Sequence, residues 1–178
     1  MVPVVEADRV RLRPFRAGDR EEVYALFSDP EVVRYWSFPA WTDRAQADEF
    51  MQPLLEPTDD TMIAWVVAER GSDRMVGTTT IYALHKTQRR AEIGYTLLRE
   101  HWGKGLAREA VAHALVYGFD ELGLRRFEAD IDPRNAASIA LVERLGFVRE
   151  GFMRERWLVA GEVCDSAMFG LLARELRR

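Results

Sequence analysis

Between Arg90 and Asp132 the chain changes its hydrophobic period twice, and that order restricts the fold more than any other feature. Arg90 to Leu98 alternates: Ala91, Ile93, Tyr95 and Leu97 face one way, while Glu92, Gly94 and Thr96 face the other, as along a strand. A polar, glycine-bearing loop, Arg99 to Lys104, leads into a helical period from about Gly105 to Leu122, with Gly123 placed as a C-cap. A second strand, Arg126 to Asp132, follows and is stopped by Pro133. Two strands joined through a helix imply a parallel pair. The upstream runs, Met62 to Glu69 and Met75 to Ala83, are instead joined by Arg70-Gly71-Ser72-Asp73, turn chemistry that predicts an antiparallel hairpin. The expected class is α+β, on a mixed and mostly antiparallel sheet holding one parallel pair.

The remaining elements fit around that unit. Arg9 to Phe15 reads as a short strand ended by Pro14. Asp19 opens a helix carrying Val23, Leu26 and Phe27 inward, closed before Asp29-Pro30. Thr42 or Asp43 caps a second helix that runs toward Pro53 with Ala47, Phe50 and Met51 inward. Asn135 begins a short helix with Ile139, Val142 and Leu145 inward, ended by Gly146. Two last strands, near Phe147 to Arg154 and Cys164 to Leu171, flank a loop containing Gly161. With no repeat or Pro/Gly/Ser linker, 178 residues and 48% hydrophobic content suit one domain over 1–178.

Composition removes several function classes. Lysine and arginine total 25 against 29 acids, a net charge of -4, which argues against nucleic-acid binding by global attraction. Cys164 stands alone and the three histidines are far apart, so no metal-ligand spacing and no intramolecular disulfide is expected. No apolar run approaches the roughly 18 residues of a membrane span, and MVPVVEADRVRLR lacks the apolar core of a signal peptide. A soluble cytoplasmic protein is the expectation.

Two segments carry chemistry. In His101-Trp102-Gly103-Lys104-Gly105-Leu106-Ala107-Arg108, placed between strand and helix, free backbone N–H groups and the helix dipole favour an anion, and the glycines permit close approach. A plain helix-starting turn explains the same residues. A P-loop would need Gly-x-x-x-x-Gly-Lys-Ser/Thr, and a dinucleotide fingerprint would need glycine where Arg108 stands. The second segment is Asp132-Pro133-Arg134-Asn135-Ala136-Ala137-Ser138, followed by Leu145-Gly146-Phe147, where Asn135 and Ser138 also serve as caps.

Together these segments resemble the cofactor-binding core of the GNAT acetyltransferase superfamily. RVRLRPFRAGD (Arg9 to Asp19), RAEIGY (Arg90 to Tyr95), HWGKGLAREA (His101 to Ala110) and Glu150-Gly151 are similar to the Rim-type branch, the ribosomal-protein N-acetyltransferases and their relatives. The resemblance implies a three-layer α/β/α fold whose parallel pair splays apart, and direct transfer from acetyl-CoA to a primary amine with no metal. It implies that Trp102, Gly103, Lys104, Gly105, Leu106 and Ala107 hold the pyrophosphate, while the Leu97 main chain and Asn135 contact the pantetheine arm. Trp102 departs from the family's usual Arg/Gln, and Val142 stands where many relatives carry a proton-donating tyrosine.

Acyl transfer needs a base for the amine proton and a partner for the departing sulfur. The resemblance gives the first role to Glu92, which in the charged run Arg89-Arg90-Ala91-Glu92 also reads as a solvated strand carboxylate, and the second to Ser138. Cys164, in an apolar strand without an adjacent histidine, reads as structural. Tyr35, Trp36, Phe38 and Trp41 are core or an amine pocket, and Glu31, Asp43, Asp48 and Glu49 near them suit either a helix surface or a cationic acceptor. The expected acceptor is a protein or peptide N-terminal α-amine. The alternatives are a small amine (an amino acid, polyamine or antibiotic) and a non-catalytic CoA-binding sensor. A monomer or homodimer is expected.

Overall fold

The computed structural model describes residues 2–57 and 60–177. Its strands are β1 (Val5–Glu6), β2 (Val10–Arg13), β3 (Ile63–Glu69), β4 (Met75–His85), β5 (Arg90–Leu97), β6 (Arg126–Ile131), β7 (Val148–Val159) and β8 (Glu162–Leu172). They form one eight-stranded sheet in the order β1-β2-β3-β4-β5-β6-β8-β7. Every pairing is antiparallel except β5 with β6. Helices α1 (Arg20–Ser28) and α2 (Ala45–Leu55) cover one face, and α3 (Leu106–Asp120) and α4 (Ala136–Leu145) the other.

The uninterrupted apolar run of β3 follows from that arrangement, because both of its faces are buried. Trp65 and Val67 enter the core with Val111, Leu115, Val142 and Leu145. Ala64, Val66 and Ala68 enter the other with Val23, Leu26, Phe27 and Met51. The expected helices and the β3–β4 hairpin are present.

Four local expectations change. A short β1 pairs Val5 with Leu12 and Glu6 with Arg11. Helix α2 runs past Pro53 to Leu55, since a proline in the last turn removes only one hydrogen bond. Asp19 stands at the N-cap of α1, yet its side chain caps no N–H of that helix. It turns inward and accepts from Arg13 Nη1 (2.8 Å), Arg13 Nη2 (2.7 Å) and the Arg16 N–H (2.8 Å). The last two strands are longer than expected and form one hairpin, with a register shift between Met153 and Trp157 and Glu155 at φ 54°. Strand β7 is a sheet edge exposed on both faces, so no alternation marked it in the sequence. Arg149, Glu150, Arg154, Glu155 and Arg156 and that irregularity blunt the edge against pairing with another chain.

Arginines also converge on Asp73 in the β3–β4 turn, where Arg16 Nη1 donates at 2.6 Å. Burial pushes the Asp73 carboxyl up, but Arg16, Arg13 and Arg11 outweigh it and leave the group below its ordinary value. Burial likewise opposes Arg9 at Glu109 and Arg134 at Asp132, and the arginines again win. A value lowered on folding gives stability that is complete above the unfolded value and lost as pH falls through the folded one. The urea midpoint should therefore stay level from about pH 7 to 5 and fall below about pH 4. A midpoint unchanged down to about pH 3 would refute this.

Candidate active site

Among the described residues the one parallel ladder is short. β5 and β6 pair at Arg90–Arg126, Ala91–Phe127 and Glu92–Glu128 and then separate, although β5 continues to Leu97 and β6 to Ile131. A slot opens beyond Glu92. Alternation puts Glu92 on the α1/α2 face, because Ala91 and Ile93 point into the core beneath α3.

At the far end of β5 the loop turns back on itself. Gly103 (φ 72°) and Gly105 (φ 77°) adopt left-handed backbone that other residues rarely take. The first bond into α3 runs from the Glu109 N–H to the Gly105 carbonyl at 3.2 Å. Among the described residues, the amides from Gly103 to Arg108 have no partner. Lys104 and Arg108 are exposed and outside any ion pair among the described residues. This set of donors and free cations fits a pyrophosphate.

Two anchors fix the loop. Arg9 Nη1 donates to the Lys104 carbonyl (2.8 Å) and Arg9 Nε to Glu109 Oε2 (2.7 Å). Glu109 also accepts the N–H groups of Arg9 (2.6 Å) and Val10 (3.3 Å). The Trp102 indole N–H donates to the Leu97 carbonyl at 2.8 Å. Trp102 thus brings an anchor where a charge is usual. The Leu97 carbonyl, part of the main chain expected to contact the pantetheine arm, therefore already accepts one hydrogen bond from its own loop.

On the α3/α4 side, Asn135 caps α4, its Oδ1 accepting the Ser138 N–H at 3.1 Å, as the sequence implied. The Ser138 hydroxyl lies 2.6 Å from the hydroxyl of Tyr95, a residue to which sequence alone assigned no role of its own. Val142 is fully buried in the core. Leu106 is buried and Ala107 partly buried, so both contribute backbone to the loop, with their side chains packed against the core.

The opposite face carries acids and arginines. Glu128 pairs with Arg90 (3.1 Å) and Arg126 (2.9 Å), Asp130 with Arg156 (2.8 Å), and Asp132 with Arg134 (2.6 Å). Glu92 has no such cation among the described residues. Its cross-strand neighbour is Tyr82, whose phenol is pushed well up by burial and then by the charge of Glu92.

The aromatic cluster resolves into core and one outlier. Trp36, Phe38, Trp41 and Phe50 surround Phe27 at centroid distances of 5.3, 5.7, 4.8 and 5.0 Å. Tyr35 instead faces Arg134 (5.9 Å). Asp43 accepts the Ala45 N–H (2.9 Å) at the start of α2, Asp48 ties α2 to Arg20 of α1, and Glu31 pairs with Arg34 in the turn after α1. The half-buried Cys164 thiol lies 3.4 Å from Arg134. Among the described residues, no group of three His, Cys, Asp or Glu side chains could hold a metal, and no helix is long and apolar enough to cross a membrane.

Comparison with known proteins agrees with this geometry. Residues 9–148 match the family model described as an acetyltransferase (GNAT) domain. The chain is 36% identical to the uncharacterized N-acetyltransferase p20 of Bacillus licheniformis over 94% of this chain and 95% of that one. It is 34% identical to the uncharacterized N-acetyltransferase YoaA of Bacillus subtilis, over 97% and 98%. A spermidine N(1)-acetyltransferase of Vibrio cholerae is 25% identical over 96% and 97%. Among solved structures, a GNAT-family acetyltransferase from Bacillus anthracis superposes with a TM-score of 0.88 at 26% identity, covering 97% of this chain and all of that one. One proposed to be a ribosomal-protein-serine acetyltransferase, from Vibrio cholerae, reaches 0.80 at 26%, over 97% and 99%. The chain belongs to the GNAT acetyltransferase family and is an N-acetyltransferase.

Proposed function

We propose that the chain, acting as one domain over 1–178, moves the acetyl group of acetyl-CoA directly to a primary amine, and that a protein or peptide N-terminal α-amine is the acceptor. The slot carries this reading: an anion cradle closes one end, Glu92 stands on one face of the parting strands, and Ser138 is reached from the other. When bound, acetyl-CoA supplies an activated thioester. The amides of 103–108, with Lys104 and Arg108, bind its pyrophosphate. Asn135, its Oδ1 committed to Ser138, offers its amide N–H groups to the pantetheine arm. Glu92 takes the amine proton, directly or through a water, and Ser138 donates a hydrogen bond toward the sulfur.

The likeness to a protein proposed to be a ribosomal-protein-serine acetyltransferase supports the N-terminal acceptor. A small cationic amine is the second reading, favoured by the relation to a spermidine N(1)-acetyltransferase and by the acids Glu92, Asp130 and Asp132 along the acceptor face. A panel of free and N-blocked peptides, spermidine and amino acids, followed by thiol release, separates them. Turnover confined to free N-termini supports the first reading, and turnover confined to spermidine or other small amines replaces it. Silence across the panel despite tight CoA binding would overturn both.

Trp102→Phe keeps an aromatic ring but frees the Leu97 carbonyl. One net hydrogen bond is worth about 1 kcal/mol, so CoA binding should weaken by about fivefold. Calorimetric titration with CoA measures it, and unchanged affinity would show that the anchor does not shape the cradle.

A further inference from the structure

We propose that Tyr95 is a positioning residue for Ser138: its hydroxyl donates to Ser138 Oγ and thereby turns the single Ser138 hydroxyl hydrogen into the slot, toward the sulfur that acetyl transfer expels. The proposal rests on the acetyl-transfer reading above.

The two oxygens are 2.6 Å apart, and the Ser138 backbone is held separately by Asn135. Tyr95 lies on β5 beyond Glu92, where pairing with β6 has ended, so its ring stands at the slot on the face opposite Glu92. Besides Ser138, the Tyr95 hydroxyl has no polar partner among the described residues; the Ser138 carbonyl at 3.4 Å is too distant to compete with the hydroxyl.

A serine hydroxyl has one hydrogen and two lone pairs, and a phenol is the more acidic, hence better, donor. Once Tyr95 donates, the serine hydrogen must point elsewhere, and the slot is the side left open. Burial pushes the Tyr95 phenol up to about 12, partly offset by Ser138, so it stays protonated and donating at neutral pH. The polarised Ser138 hydroxyl is then a stronger donor than an isolated alcohol. The core residue Val142 cannot take this part.

The reaction balances without a net change in the pair. The amine nitrogen bonds to the acetyl carbon, the carbon–sulfur bond breaks, and its electron pair goes to sulfur. The amine proton passes to Glu92 and on to water. Ser138 stabilises the thiolate by hydrogen bonding, and solvent supplies the proton that completes the thiol.

The test titrates the thiol of CoA bound to the protein, read as thiolate absorbance against pH, in wild type, Tyr95→Phe, Ser138→Ala and the double variant. A hydrogen bond to the thiolate lowers the thiol pKa in the wild-type complex. Ser138→Ala should raise it by about one unit, and Tyr95→Phe by about half of that, with no further rise in the double variant. Tyr95→Phe should also lower kcat while leaving the KM for acetyl-CoA unchanged. That loss should shrink with acetyl thioesters of more acidic thiols, which a merely structural role would not produce.

Tyr95→Phe retains the packed ring, and Ser138→Ala probes the same bond from its other end if the first variant melts early. An unchanged thiol pKa in both single variants overturns the proposal while acetyl transfer stands. Additive kcat losses in the double variant also overturn it. A wild-type protein that does not bind CoA overturns both readings.

Discussion

Glu92→Gln should lower kcat/KM for the amine acceptor by about two orders of magnitude, the usual worth of a positioned general base. The loss should grow as pH falls. An amine that deprotonates unaided at high pH needs no base, whereas at lower pH nearly every acceptor arrives protonated. The physical ground is the distribution of charge on the acceptor face. Glu128, Asp130 and Asp132 are each engaged by an arginine, and at Asp132 that arginine outweighs burial and holds the carboxyl below its ordinary value. Glu92 sits between Tyr82 on β4 and Glu128 on β6, at the last rung before the strands part, in no ion pair among the described residues. Glutamine keeps the shape and removes the basicity, so acetyl-CoA affinity should be unchanged. A pH–rate profile parallel to wild type would remove Glu92 from the mechanism.

Arg13→Met should cost about 3–5 kcal/mol of folding stability, as expected when one partner of a buried ion pair is removed. For a domain this size that corresponds to a fall in Tm on the order of 10 °C. The side chains of Arg13 and Asp19 are 3% and 8% exposed, and their contact is bidentate. Methionine fills most of the space but leaves the Asp19 carboxylate buried, with only the Arg16 N–H to satisfy it. The bond joins β2 to the start of α1, and Arg13 also donates to the Asp73 carbonyl (3.2 Å) in the β3–β4 turn. Arg13→Met with Asp19→Leu should recover much of the loss, because the stranded charge goes with its partner. Thermal and denaturant unfolding of both variants test this, and a single-variant loss under about 1 kcal/mol would show that the pair does not hold these elements together.

How much was legible follows the reach of each interaction along the chain. The Asn135 cap needs only its own residue and Ser138, and the glycine loop only a few neighbours, so residue type and spacing disclosed both. Asp19 looked like a cap by type, but its carboxylate gained more from the guanidinium six positions upstream. The Arg9–Glu109 clamp spans 100 positions, and the Tyr95–Ser138 contact 43. No local period marks such pairs, and neither the alternation of its strand nor the RAEIGY segment that ends on Tyr95 pointed to Ser138. β7 lacked a signal because an edge strand wet on both sides gives hydrophobicity nothing to alternate about.

The brevity of the parallel ladder has a mechanical meaning. β1 to β5 make one stiff plate and β6, β8 and β7 another, meeting edge to edge at three rungs. A molecule lying in the slot and bonded to the free strand edges replaces the missing rungs and braces the plates. Amide hydrogens of β5 after Glu92 that turn away from β4 should accordingly exchange quickly in the free protein and slowly with CoA present. Loss of CoA should then loosen the two plates again, so that the rigidity of the sheet follows its occupant.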